Sequence, residues 1–504
     1  MPSAGESTRF DRVDIRRLLC LPHPRDPIAA TIRFCRPRTT FSGLNHATSP
    51  AGRTRPGRGV PARFARPPGL TASGKVRLGA VSPPAPEFQS IGIIGLGYVG
   101  LPLAVAFAEA GRQVIGLDTD SEKVDSLNRS VSYIEDVPSA SLEVVGERIR
   151  ATSDFGELAS CEAVIICVPT PLTGSREPDL SYLTSAARNL AEVLEPGQLV
   201  VLESTTYPGT TRDLLAGELE ARGREVGRDF HLAFSPERID PGRTDFTVRT
   251  TPKLVGGMTP DCTNRAAELY EIICDRVIRL SGPEAAELSK LLENIFRSVN
   301  IALVNELAQL CHRLGVDVWE VVDAASTKPF GFMRFEPGPG MGGHCLPVDP
   351  FYLAFKAREH DFYPEFIELA GKINQSQPLF CVSRVERVLN DNGRPVNGSR
   401  ILILGVSYKA GVGDIRESPA LKIIRLLAEL GGDLSYHDPH VPELEEAGLT
   451  NTSDLDAALG EADLTVIVTS HPEVDLDQVV AGSKLVLDLR GVTREIEAAH
   501  VTRL

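Results

Sequence analysis

One stretch limits the possible architecture more than any other: "FQSIGIIGLGYVGLPLAVAFAEAGRQVIGLDTD", starting at residue 88. Ile91 to Ile94 reads as a short apolar strand, and Gly95, Gly97 and Gly100 form G-x-G-x-x-G. An apolar helix follows and stops near Gly111, and "QVIGLD" is a second strand ending in Asp118. Strand, glycine turn, helix, strand and acid in this order predict a dinucleotide-binding unit on a parallel sheet. Gly95 permits the tight turn, Gly97 lets the backbone approach a pyrophosphate, and Gly100 allows helix and strand to pack closely. Tyr98 and Val99 lie in the same loop, at the N-terminus of the helix, where free N–H groups favour phosphate. Asp118 follows Gly95 by 23 positions, so its carboxylate suits a ribose 2′-hydroxyl and repels a 2′-phosphate. The expected cofactor is therefore NAD; Lys123, a nearby cation, works against that preference.

The sheet continues in "AVIICVPTP" (163–171) and "QLVVLESTTYPGTT" (198–211), apolar strands that run into polar turns. Ligands of open α/β sheets bind beyond the carboxyl ends of the strands. Thr170, Glu203, Thr205 and Thr206 are placed there, as cofactor-crevice residues or simply as caps. Residues 283–315 then show a helical apolar period with no internal Gly or Pro. Lys290 and Asn294 are spaced i, i+4 on this helix and share a face. A second α/β unit begins at Arg400, with "DLTVIVT" and "KLVLDLRG" as later strands. Its first loop lacks a full G-x-G-x-x-G and offers Lys409 and Arg416, a basic lining suited to a diphosphate. Two nucleotide units suggest a nucleotide cofactor and a nucleotide-linked substrate. Between them, "GPGMGGHCLPVDP" (338–350) sets Cys345 in a run of glycines and prolines that breaks helix and strand alike.

Composition separates the N-terminal segment from the rest. Residues 1–86 hold 15 Lys/Arg, 4 Asp/Glu and 13 of the 37 prolines, a net +11 that leaves −25 on the remainder of a chain of total charge −14. Such a segment lacks the apolar content to order itself. It reads as an inert basic tail, a targeting segment, or translated upstream sequence. The acidic body argues against nucleic acid as a partner. No apolar run approaches the ~20 residues of a membrane helix. The nine cysteines show no metal-type spacing, so no metal is expected, and a reducing, cytoplasmic setting is.

These pieces, with "FSPERIDPG" and "GVSYKAGVGDIRESPA", resemble the UDP-glucose/GDP-mannose dehydrogenase family over roughly residues 88–500. Within it, "STKPFGFMRFEPGPGMGGHCLPVDPFYLAFKARE" looks most like the UDP-N-acetylglucosamine 6-dehydrogenase branch. Composition gives a disordered Arg/Pro-rich tail over 1–86, which has no counterpart in the family pattern; the resemblance implies an NAD-binding Rossmann domain over 87–282, a helical central domain over 283–395 and a UDP-sugar-binding Rossmann-like domain over 396–504. It implies oxidation of a sugar C6 alcohol to a carboxylate with two NAD, through a thioester on Cys345. Lys290, Asn294 and Asp349 match the residues that hold the reacting oxygens and a water. Glu203 is matched to the base of thioester hydrolysis and Thr170 to a water-positioning threonine. Arg334, Gly342, Lys409 and Arg416 are matched to the substrate side. The resemblance also implies a homodimer or higher homo-oligomer built on the long helix, for surface polysaccharide synthesis. Rival readings are the UDP-N-acetylmannosamine, UDP-N-acetylgalactosamine and UDP-glucose enzymes, a 3-hydroxyacid-type dehydrogenase, and a UDP-sugar-binding protein without turnover.

Overall fold

The computed structural model describes residues 88–134, 137–173, 177–238, 246–343, 346 and 348–504, all within one compact unit. The expectations for the N-terminal segment, and for Cys345, fall outside the described residues.

The first sheet has eight strands: β1 (Ser90–Ile94), β2 (Gln113–Leu117), β3 (Ile149–Thr152), β4 (Ala163–Ile166), β5 (Leu199–Leu202), β6 (His231–Phe234), β7 (Lys253–Gly257) and β8 (Val277–Arg279). Their spatial order is β3-β2-β1-β4-β5-β6-β7-β8, parallel throughout except for the antiparallel β6–β7 pair. β4 and β5 are buried at every position, as a sheet covered on both faces requires. The register aligns Ile94 with Leu117 and Ile166, Ile166 with Leu202, and Leu202 with Phe234. The residues one step beyond these ends are Gly95, Asp118, Cys167, Glu203 and Ser235, so a single row gathers the cofactor edge. The strand order reverses between β2-β1 and β4, the switch point at which such sheets bind ligands.

The second sheet has β9 (Arg400–Leu404), β10 (Asp433–His437), β13 (Leu464–Ile467), β14 (Val486–Asp488) and β15 (Val501–Arg503) in the order β10-β9-β13-β14-β15, all parallel; β11 (Glu443–Leu444) and β12 (Leu449–Thr450) form a small hairpin beside it. Gly405 follows β9 at φ +78°, where a Cβ would stand 2.0 Å from the Thr469 carbonyl oxygen. This loop therefore keeps the tight first turn of a nucleotide unit without the later glycines.

Between the sheets run the long helix Pro283–Leu314 and the helix Glu365–Asp391, packed on one another. The long helix starts on a proline at its first position and stops at Gly315, left-handed at φ +68°. Its buried Glu287 accepts from the backbone N–H of Gly209 (2.7 Å) and Thr211 (2.9 Å), which pins the loop after β5 to the helix. No helix among the described residues is long and apolar enough to cross a membrane.

Candidate active site

The cofactor cradle is built as its glycines require. Gly95 has φ +93°, and a Cβ there would stand 2.6 Å from the Cys167 carbonyl oxygen. A Cβ on Gly100 would stand 1.8 Å from the Gly95 oxygen, so any side chain forces helix and strand apart. A Cβ on Gly97 would meet nothing within 4 Å, which leaves that backbone face open for a pyrophosphate at the start of the helix Gly100–Glu109. Asp118 accepts from Leu96 N–H (2.9 Å) and Asp120 N–H (3.0 Å) at the ribose end. Lys123 Nζ stands 3.8 Å from Asp118 Oδ2. The Thr206 hydroxyl, in the loop after β5, is buried with no hydrogen-bond partner among the described residues. These features fit NAD. Asp118→Ser is expected to lower the NAD/NADP ratio of kcat/KM by about tenfold, because repulsion of a 2′-phosphate is lost; steady-state kinetics with both cofactors checks it.

The helical face predicted to carry Lys290 and Asn294 carries them buried, at 8% and 7% exposure. Asn294 Nδ2 donates to Asp349 Oδ2 at 2.5 Å, and Lys290 Nζ donates to the backbone oxygen of Glu237. Asp349 opens the helix Asp349–Arg358 and is fully buried. Its Oδ1 has no partner among the described residues. Burial pushes its carboxyl up to about 6, against the opposing pull of the Lys290 charge and the Asn294 hydrogen bond. A carboxyl poised there can exchange a proton near neutral pH. Tyr352, one turn on, donates to the Thr170 carbonyl oxygen (2.9 Å), so the helix that begins at Asp349 is tied to the exit of β4.

The segment leading to Cys345 is held from both sides. Asn305 Oδ1 accepts from Gly338 N–H (3.0 Å), and Gln377 Nε2 donates to the Gly338 oxygen (3.0 Å). On the other side Gly343 N–H donates to the Arg416 oxygen (3.1 Å).

Several expected roles change. Glu203 does not join the cluster. Its carboxylate is buried beneath the strand ends, in contact with the Lys253 ammonium and accepting from Tyr270 Oη at 2.6 Å. Burial pushes its carboxyl up, and the Lys253 ammonium opposes that by favouring the charged form. A base for water must reach water, and this one is sealed. Thr170 is 4% exposed, and its hydroxyl donates to the Thr205 oxygen (2.7 Å), joining two strand exits. Gly342 serves packing: a Cβ there would stand 2.8 Å from the Tyr408 Cβ and 2.9 Å from the Glu417 oxygen. Arg334 is held in ion pairs with Asp323 (2.6 Å) and Glu336 (3.1 Å), and the structure does not bring it to Lys290, Asn294 and Asp349. Arg416 is paired with Asp414 (2.6 Å), and its guanidinium lies 5.3 Å from the Tyr98 ring centroid, joining the glycine loop of the first unit to the second. Lys409 is half-buried in the loop after β9, with its carbonyl accepting from Ser407 Oγ (2.9 Å).

The residue missed is Glu237, at the exit of β6. It is only 12% exposed at its side chain, its carbonyl receives Lys290, and its Oε2 lies 3.8 Å from Lys253 Nζ. The signal was available: "FSPERIDPG" follows an apolar strand as "VPTP" and "ESTTYPGTT" do. One group, His440, His471 and Glu473, has ligand atoms within 4.8 Å of one another. Both ring nitrogens of His471 are engaged: Nδ1 accepts from Gly411 N–H in the loop after β9 (3.1 Å), and Nε2 bonds Asp438 Oδ2 at the exit of β10 (3.0 Å).

Three family models match the chain: the NAD binding domain of the UDP-glucose/GDP-mannose dehydrogenase family over residues 89–274, its central domain over 284–376 and its UDP binding domain over 402–495. The UDP-N-acetyl-D-mannosamine dehydrogenase of Escherichia coli (strain K12) is 36% identical over 429 residues, covering 81% of this chain and 100% of that protein. The NDP-N-acetyl-D-galactosaminuronic acid dehydrogenase of Ralstonia solanacearum is 36% identical over 420 residues, 81% of this chain and 96% of that one. The solved UDP-D-ManNAc dehydrogenase of Pyrococcus horikoshii superposes with a TM-score of 0.76 at 35% identity, covering 82% of this chain and 98% of that chain.

Proposed function

Since the chain belongs to the UDP-glucose/GDP-mannose dehydrogenase family, and is thereby an NAD-dependent UDP-sugar dehydrogenase, we propose that its substrate is a UDP-N-acetylhexosamine. The names of its relatives turn the first choice from the N-acetylglucosamine expected on the residues 326–359 to N-acetylmannosamine, with N-acetylgalactosamine second. The observation that carries the reading is the buried Lys290–Asn294–Asp349 cluster, whose Asp349 follows Cys345 by four positions in the sequence and whose helix is tied through Tyr352 to the cofactor edge.

NAD supplies the hydride acceptor. Lys290 stabilises the alkoxide that develops as the C6 hydroxyl loses its proton to Asp349 and its hydride departs. The Cys345 thiolate then adds to the aldehyde carbon, giving a thiohemiacetal that still bears one hydride. Loss of its hydroxyl proton, and of this hydride to a second NAD, leaves a thioester. Water attacks the thioester carbonyl, Glu237 takes the proton, and the carboxylate leaves as the thiol re-forms. Turnover of UDP-N-acetylmannosamine, UDP-N-acetylglucosamine, UDP-N-acetylgalactosamine and UDP-glucose, followed by NADH absorbance, tests the substrate. An N-acetylhexosamine is expected to exceed UDP-glucose by at least about tenfold in kcat/KM, about 1.4 kcal/mol of discrimination; a preference for UDP-glucose overturns the assignment.

The same reading makes the enzyme a homodimer on the long helix and places it in the reducing cytoplasm, in line with six free cysteines among the described residues. Leu288, Leu292, Phe296, Leu303, Leu310 and Leu314 are 44–65% exposed and recur at intervals of four and seven along one helix. Such a stripe exceeds what a monomer ordinarily leaves in water. Leu292→Asp with Leu303→Asp is expected to halve the mass seen in sedimentation velocity.

A further inference from the structure

Lys253 begins β7 and is 6% exposed. Its ammonium contacts Glu203 Oε1, stands 3.8 Å from Glu237 Oε2, and lies 4.9 Å from the Tyr270 ring centroid. Glu203 is itself fixed on its other oxygen by Tyr270 Oη (2.6 Å). One buried cation therefore joins a sealed carboxylate under the sheet to the carboxylate of the residue whose carbonyl receives Lys290. The neighbouring Arg238 completes the fixation of this segment, donating to the Pro252 oxygen (2.5 Å) and pairing with Glu293 (2.8 Å) on the long helix.

A buried carboxylate–ammonium contact adds little net stability, since desolvation of both charges cancels most of the attraction. What it does supply is geometry, and a site about 1 Å too loose loses most of its rate. We propose that Lys253 is a positioning residue for the oxidation: anchored on Glu203, it holds Glu237 in register with Lys290. This rests on the role given to Glu237 above. No local pattern marks Lys253, because it is the first residue of an ordinary apolar strand, and only the antiparallel pairing of β7 with β6 brings it to Glu237.

The test compares Lys253→Met, Lys253→Arg and the double variant Lys253→Met/Glu203→Gln. In the double variant both buried charges are gone, and the amide that replaces the Glu203 carboxylate still accepts from Tyr270, so the fold is expected to recover its unfolding temperature. Lys253→Met is expected to lose kcat by about 100-fold with KM for NAD and UDP-sugar within about threefold, the pattern of an interaction made in the transition state. Lys253→Arg should regain most of kcat. The double variant should regain stability and not kcat. If it regains both, Lys253 is only a structural charge and the proposal fails; it fails equally if Lys253→Met retains kcat. Hydrogen exchange at the Glu237 and Arg238 amides reads the anchoring without any substrate, so it stands apart from the choice of sugar. It is expected to quicken by about tenfold in the double variant, as local opening becomes easier. Unchanged exchange overturns the proposal even if none of the tested UDP-sugars is turned over, which would instead refute the substrate reading.

Discussion

A Glu237→Gln enzyme releases up to two NADH per site in one burst and then nearly stops, with the sugar attached to Cys345. The amide keeps the shape of the side chain but cannot take a proton from water. Both hydride transfers precede that step and survive. Loss of a general base slows the limiting step by about 10²–10⁴-fold. Rapid-mixing absorbance gives the burst, and intact-protein mass spectrometry gives the adduct. Glu203→Gln behaves differently. It removes the buried partner of Lys253 and is expected to lower stability by about 3 kcal/mol. It produces no burst, because Glu203 is sealed from water. The two variants thus separate the base from the anchor.

Asp349→Asn trades activity for stability. In the folded protein burial pushes the Asp349 carboxyl up to about 6, whereas in the unfolded chain it titrates near 4. The folded state therefore keeps a proton that the unfolded state releases between those values. Its contribution to stability is full below about pH 4, falls as pH rises to about 6, and stays low above that. Asparagine carries no charge to bury, so above about pH 6 the variant is expected to be more stable by up to about 3 kcal/mol. Below about pH 4 the gain disappears. Turnover should fall by about 10³-fold, since the proton acceptor is gone. In the wild type kcat should decline as pH drops through about 6, where Asp349 becomes protonated. Urea unfolding on either side of this window, at about pH 4 and about pH 8, and the pH profile of kcat measure both halves.

What the residues revealed in advance was local in sequence. The cradle at Gly95, Gly97 and Gly100 needed only a strand, a turn and a helix in order. Lys290 and Asn294 share a face because four positions nearly complete a helical turn, and the site formed where that face is buried. The errors came from long-range partners. Glu203 stands in the same row as Gly95 and Asp118, as a strand end should. Which way its carboxylate turns is decided by Lys253 and Tyr270, 50 and 67 positions away. Arg334, expected on the substrate side, is paired instead with Asp323 on the preceding helix and with Glu336. Gly342, expected on the substrate side, lies with Gly343 against Tyr408 of the second nucleotide unit, a contact that no local pattern shows. The sugar epimer depends on contacts that no single motif encodes, and the relatives' names, not the glycine-loop residues, supplied that direction.

The proposed mechanism has one site perform two oxidations on the same carbon, and counting product against reduced cofactor examines this most directly. NADH formed and UDP-uronate formed are quantified in the same quenched reaction, with hydroxylamine present in a parallel sample to trap aldehyde. The expected result is two NADH for each carboxylate and no aldehyde oxime. One NADH for each sugar consumed, with the oxime accumulating, would contradict the mechanism, because the aldehyde would then leave before Cys345 could hold it.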